Sequence, residues 1–328
     1  MTAPSLKPHK DDLLEILAAD RCPVCAQPKR RFRWTCTPCG VGQQQTAEHL
    51  RLSATCDAHM DAAEAFLRLV RGDADVKLVA LIPARAGSQR VPGKNTRLRA
   101  GSQRVPGKNT RLLAGYPLIA YTIAAAQQSG VFNQIVVATD DGEAMAIGRT
   151  SGVLVFDRAP VSHDQPDIDW VSDVLAQIAC DAFAILRPTS PFRSAAEMRR
   201  AWALFQWRQP ADSLRAIRRV TEHPAKMWTI ESPSSMRPFV DHTGHSQPTQ
   251  SLPPVYVQTS SLEIAWTKTV YDTGTISGTR ILPFVCEGPE ALAIDTWRDW
   301  AEAERLVATG QAQLPTVALA SVSATPAP

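Results

Sequence analysis

No stretch constrains this chain more than Leu78 to Gly115. It opens on an unbroken apolar run, Leu78 to Ile82, the pattern of a parallel strand buried on both faces. It ends just before a second apolar segment, Pro117 to Ala126, which predicts a helix. Between them lies a loop rich in Gly, Arg, Lys and Ser. Glycines let backbone N–H groups approach an anion, and Arg and Lys neutralise it, so the loop suits a phosphate.

The loop is written twice. Arg85 to Leu98 reads RAGSQRVPGKNTRL, and Arg99 to Leu112 repeats the same fourteen residues. Solenoid repeats have longer periods and diverge, so this is a local duplication and not a repeat architecture.

Beyond the loop, strand and helix patterns alternate. Strand 76–82 and helix 117–129, which Gly130 can terminate, are followed by strand 135–138, helix 142–150 with Gly152 as stop, and strand 153–156. Helix 168–178 places Ile168, Val171, Val174, Leu175 and Ile178 on one face. Strand 183–186 follows, and Ser194 with Glu197 forms a capping box opening helix 195–208. Residues 255–266 and 281–286 return to strand, and Thr296 caps a last helix, 297–308, that Gly310 can end. The alternation predicts an α/β fold with a doubly wound, mostly parallel sheet and helices on both faces. Ligands of such sheets bind beyond the carboxyl ends of the strands, where the loop motifs of this chain fall.

The amino-terminal part is different. Cys22, Cys25, Cys36 and Cys39 form C-x2-C-x10-C-x2-C, the spacing of two metal knuckles around a hairpin, and predict a small zinc ribbon over residues 1–45. Arg21, Lys29, Arg30, Arg31 and Arg33 interleave there with Phe32 and Trp34. Such a surface suits nucleic acid, but docking of the ribbon onto a neighbouring domain is favoured. Residues 46–75 read as a helix and linker, 76–310 as the main domain and 311–328 as a disordered tail. A net charge of +3 does not demand a nucleic-acid partner. No apolar run approaches the roughly 18 residues of a membrane span, and charges stand where a signal peptide needs an apolar core, so a cytoplasmic protein is expected.

RAGSQRVPGKN followed by LAGYPLIAYTI resembles the signature of CMP-sialic-acid-type (acylneuraminate) cytidylyltransferases. The resemblance continues through VVATDD (136–141), PDIDWV (166–171), LRPTSPFR (186–193) and AIDT (293–296). It implies a nucleotide-diphospho-sugar transferase-like, Rossmann-like fold. It also implies a reaction in which CTP and a sialic-acid-like 2-keto-3-deoxy sugar acid give a CMP-sugar and pyrophosphate, with Mg²⁺ at the site, Zn²⁺ in the ribbon, and a homodimer built through residues 220–257. By the same resemblance Arg85, Lys94 and Asp295 are the catalytic candidates, Asp295 as magnesium ligand. Arg85, Ser88, Gln89, Arg90, Lys94, Asn95, Lys108, Asn109, Thr139 and Asp140 fall to the nucleotide, and Arg187, Thr189, Ser190, Arg193 and Gln258 to the sugar acid.

Four positions depart from the family pattern. Gln89 replaces a loop Lys, Gln134 an Arg, Arg187 the Gln of QPTSP, and Ala293 the first Asp of a D-x-D pair. Arg187 suits a substrate carboxylate instead. The duplication is compatible with a composite cradle. Copy one supplies Arg85 to Arg90, copy two supplies Lys108 and Asn109, and extruding fourteen residues costs on the order of 1 kcal/mol in loop entropy. The contrasting expectation is a catalytically impaired relative, a scaffold whose ribbon binds nucleic acid or a protein.

Overall fold

The computed structural model describes residues 76–86, 105–158, 165–208, 210–240 and 243–318, together with three short strands near the amino terminus. Those strands, β1 (Lys29–Arg30), β2 (Thr35–Cys36) and β3 (Val41–Gly42), pair antiparallel in the order β1-β2-β3. Cys22, Cys25 and Cys39, and residues 46–75, lie outside the described residues, as does the side chain of Cys36.

The main domain is built on strand β4 (Leu78–Pro83). Its alternate residues feed two cores. Leu78, Ala80 and Ile82 face one cluster, and Val79 and Leu81 the other. That is why the run is apolar without alternation: both faces are covered. The short strands β5 (Leu112–Leu113) and β6 (Tyr116–Pro117) form a hairpin that leads into α1 (Leu118–Ser129), which Gly130 closes in the left-handed conformation. Then come β7 (Gln134–Thr139), α2 (Gly142–Thr150), β8 (Leu154–Asp157), α3 (Asp167–Leu175), β9 (Ala182–Ile185), α4 (Ala195–Trp207) and β10 (Ser213–Arg219). After a side hairpin, β11 (Trp228–Ser232) and β12 (Ser235–Pro238), the chain returns as β13 (Tyr256–Trp266), α5 (Thr267–Thr273), β14 (Ile281–Val285) and α6 (Trp297–Ala308).

The seven-stranded sheet has the order β14-β10-β13-β9-β4-β7-β8. Every neighbouring pair is parallel except the two that β13 makes, with β9 and with β10. Helices α1 and α4 pack on one face through Ile119, Ile123, Met198, Trp202 and Phe205; α3 and α5 cover the other through Trp170, Val171, Val174 and Val270. This is the doubly wound α/β sheet that the alternation predicts. Among the described residues no helix is long and apolar enough to cross a membrane.

Three local readings need correction. The third helix ends at Leu175, three residues early, although Ile178 still packs on its face. The capping box at α4 is only half formed: Ser194 accepts from the Glu197 N–H, but the Glu197 carboxylate turns into the core. Residues 311–318 are not a loose tail. Leu314 and Val317 pack against a third core cluster around Trp300 and Leu118, and Gln128 Nε2 donates to the Thr316 carbonyl at 2.6 Å.

Candidate active site

Beyond the carboxyl ends of β9 and β10, and beside the start of the antiparallel β13, lies a cavity of about 860 Å³. Its wall brings together Lys108, Arg187, Thr189, Gln258 and Asp295, five residues singled out from sequence. The elements place them for simple reasons. Arg187 and Thr189 follow β9 directly. Gln258 starts β13. Asp295 precedes α6, whose first turn is fixed by a reciprocal capping box between Thr296 and Asp299.

The described part of the second copy of the duplicated loop, Val105 to Leu112, is seated here. Val105 is 5% exposed in the third core cluster, and its N–H donates to the Asp295 carbonyl at 3.3 Å. Lys108 Nζ donates to Asp295 Oδ1 at 2.5 Å and to the Ile294 carbonyl at 2.9 Å. Ile119 N–H caps the Asn109 carbonyl at 2.9 Å, and Arg111 lies over the Trp297 ring at 4.8 Å. Asn109 Nδ2 reaches back to the Arg85 carbonyl at 3.5 Å, so the end of β4 and the second copy meet. Ser88, Gln89, Arg90, Lys94 and Asn95 lie outside the described residues.

Thr139 and Asp140 serve the scaffold. Thr139 is fully buried; its hydroxyl donates to the Ala84 carbonyl and accepts from the Asp141 N–H at 2.9 Å. Asp140 Oδ1 accepts from the Ala86 N–H at 2.6 Å. Together they lash the ends of β4 and β7 beside the loop, where a direct nucleotide contact by Thr139 is expected from sequence but its burial excludes one.

Arg193 is a second correction. It is expected on the sugar acid, yet it is 1% exposed and donates to the Ser261 and Arg187 carbonyls and to Thr122 Oγ1. Ser190 is buried with it. Burial lowers the Arg193 guanidinium to about 10, with Glu197 opposing the shift. Glu197, one turn into α4, is pushed up to about 7 by burial, and by Glu290. It accepts from the Cys286 thiol at 2.8 Å, and that thiol is itself raised by burial and by Glu197.

Arg187 is on the wall as expected, but its charge is matched. It donates to Asp167 Oδ2 at 2.5 Å and to Glu263 Oε1 at 3.3 Å. Burial alone would raise the Asp167 carboxyl; Arg187 and the Trp170 indole outweigh it and hold the group low. Glu263 also takes Arg215 and, at 3.4 Å, the Gln258 amide. Sequence reading misses Glu263, and the available signal is an acid inside the apolar run SLEIAW, which needs partners to be buried.

Among the described residues no three His, Cys, Asp or Glu converge as a metal cluster. Asp295, its side chain 68% exposed at the open cavity, is paired with Lys108, and Asp299 and Glu302 line the same wall. One exposed carboxylate suits a hard divalent cation that completes its shell with water and phosphate oxygens, as Mg²⁺ does.

The family described as Cytidylyltransferase matches residues 97–181. The chain is 29% identical over 250 residues to the CMP-N,N'-diacetyllegionaminic acid synthase of Legionella pneumophila, covering 73% of this chain and 100% of that protein. It is 31% identical over 133 residues to the N-acylneuraminate cytidylyltransferase of Escherichia coli O18:K1:H7, covering 40% of this chain and 28% of the other. The fold matches a CMP:2-keto-3-deoxy-manno-octonic acid synthetase complexed with CTP, with a TM-score of 0.51 at 14% identity over 71% of this chain and 99% of that one. Residues 97–181 thus match the family described as Cytidylyltransferase, and over a longer span the chain is similar to CMP-sugar-acid synthases and N-acylneuraminate cytidylyltransferases.

Proposed function

We propose that the chain transfers a cytidylyl group from CTP to a nonulosonic sugar acid, releasing pyrophosphate. The observation that carries this reading is the convergence of Lys108, Asp295, Arg187, Thr189 and Gln258 on one cavity beyond the strand ends. The relatives named above support it, since their names are those of CMP-sugar-acid synthases and N-acylneuraminate cytidylyltransferases.

In this reaction the anomeric hydroxyl of the sugar acid attacks the α-phosphorus. The new P–O bond forms as the bond to the β-phosphate oxygen breaks, and the hydroxyl proton leaves to solvent or phosphate. Such a transfer is governed by positioning and by cations around the phosphates. Arg85 and Lys108 stand at the nucleotide side. Lys108 is held by Asp295 until a triphosphate offers it more charge. A bound Mg²⁺, held by Asp295 and phosphate oxygens, would neutralise the developing charge. Thr189 and Gln258, which line the same cavity, take the acceptor in this proposal.

The working loop in this proposal is composite, with Arg85 from copy one and Lys108 and Asn109 from copy two. The two copies are adjacent and identical, so deleting either gives the same shortened chain. The zinc ribbon and a homodimer belong to the same proposal. Antiparallel pairing of β1 with β2, across the segment that joins the two cysteine pairs, and of β2 with β3 just beyond Cys39, supports the ribbon. Exposed Met227, Trp228, Ile230, Met236 and Phe239 on the β11–β12 arm support a subunit contact, because a cluster of that size and polarity is rarely left in water.

The test is pyrophosphate release with Mg²⁺, CTP and a panel of nonulosonic acids, on the full chain and on the chain lacking one copy. Release by both is the expected result. Release only by the shortened chain would make the duplication an inactivating lesion. Silence from both, with CTP still bound, would favour the scaffold reading, to which Ala293 in place of a second acid at Asp295 gives a specific motive.

A further inference from the structure

Three cations line the cavity: Lys108, Arg187 and Arg218. Two of them are already matched, Lys108 by Asp295, and Arg187 by Asp167 and Glu263. The acids of the wall are engaged as well. Asp299 accepts from the Asp295 and Thr296 N–H groups and the Thr296 hydroxyl, and Glu302 accepts from Arg305.

Arg218 is different. It is the sixth residue of β10 and exposed, and among the described residues its side chain makes no ion pair or hydrogen bond. Glu222, on the exposed surface, feels its charge but is bonded to the Thr221 hydroxyl. The backbone has been shaped at this point. Pairing between β10 and β13 jumps from Arg215–Glu263 to Ile217–Gln258, a bulge that contains Ser260 at a left-handed φ of 59°. A non-glycine residue there costs energy and commonly re-aims neighbouring side chains. Arg218 pairs with Val257, next to Gln258, and all three line the cavity.

We infer that Arg218 holds the carboxylate of the acceptor sugar acid. This rests on the reaction proposed above and names the residue that selects an acid over a neutral sugar. A 2-keto-3-deoxy acid carries its carboxylate on the anomeric carbon, and that group is ionised at neutral pH. The guanidinium fork matches a carboxylate through two parallel N–H donors. A wall cation that no ion pair engages among the described residues gains the most from such a ligand. Arg187, the carboxylate-binding candidate from sequence alone, would have to share a guanidinium already committed to two acids. Gln258, one strand across, offers its amide to the polar face of the same molecule.

The experiment is steady-state kinetics of Arg218→Gln and Arg218→Lys at saturating CTP, with the sugar acid that the unaltered chain turns over. Arg218→Gln should raise KM for the sugar acid about 10- to 100-fold and leave KM for CTP unchanged, with part of the loss recovered by Arg218→Lys. The carboxamide of the same sugar should bind the unaltered chain weakly and lose no further affinity in Arg218→Gln. An unchanged KM for the sugar acid, or a rise in KM for CTP in its place, would overturn the assignment. If the unaltered chain turns over no sugar acid, the proposed reaction has failed, and calorimetric titration of the sugar acid into both proteins then reads Arg218 alone. Equal affinities there would also overturn it. Because Arg218 is exposed, both variants should melt with the unaltered chain, which separates a lost contact from a lost fold.

Discussion

Arg187 and Arg193 lie six residues apart in one motif, LRPTSPFR, and the structure uses them in opposite ways. Arg187 stands in the cavity wall, matched by carboxylates and a quarter exposed. Arg193 lies beneath the cavity, 1% exposed, donating to backbone carbonyls that tie the β9 loop to β13. The wall is a set of charges that a ligand can rearrange. The layer beneath it is a set of polar groups that only unfolding can reach. Ion pairs at a surface are cheap to break, whereas a buried charge deprived of its partner is expensive.

The difference makes measurable claims. The largest effect belongs beneath the cavity. Arg193→Met strands the Ser261 and Arg187 carbonyls and leaves Glu197 without its neighbouring cation, so it should destabilise the fold by about 3–5 kcal/mol in chemical denaturation. If it melts with the unaltered protein, the distinction between wall and underlayer is wrong.

Next comes Glu197→Gln. Burial pushes the carboxyl up to about 7 in the fold, from an ordinary value of 4.5. A raised acid favours the folded state most below its unfolded value, and that contribution disappears as pH climbs through the folded one. Stability of the unaltered chain should therefore fall between about pH 4.5 and 7, by about 3 kcal/mol at most for this group. The groups facing it are the Cys286 thiol, Arg193, Glu290 and Arg200. In Glu197→Gln that slope should flatten, read as melting temperature against pH; an unchanged slope would move the titration to another group.

The wall should answer in kinetics instead. Asp295→Asn removes the exposed carboxylate and releases Lys108. It should lower kcat about 100-fold and weaken the Mg²⁺ dependence, with the melting temperature nearly unchanged. A large drop in melting temperature with little change in kcat would place Asp295 with the underlayer.

Much of the fold is legible in the sequence because the signals are local. Helix α2 occupies the predicted residues, and Thr296 caps α6 at the predicted position, since apolar spacing and capping chemistry act within one or two turns. What the sequence withholds is direction. The motif LRPTSPFR identifies Arg187 and Arg193 together, but nothing local says that one points to solvent and the other inward. Glu263 stays unread because its partners, Arg187 and Arg215, are 76 and 48 residues away. Leu314 and Val317 stay unread because a segment poor in charge and rich in Ala resembles a tail until α1 and α6 give it a surface. The duplication is the sharpest case. Two identical copies carry identical local information, and the seating of Val105 to Leu112 rests on contacts with Asp295, Arg85 and Leu118 that no local pattern announces.

Cys286 turns the underlayer into a clock. Its thiol is 2% exposed, and burial and Glu197 keep it in the unreactive protonated form. A thiol reagent attacks only a thiolate that it can reach, so Cys286 reacts only when this part of the fold opens. Its alkylation rate, followed peptide by peptide beside the partly exposed Cys180, therefore counts openings of the layer beneath the cavity. A ligand that braces the wall would slow that count without touching the sulfur.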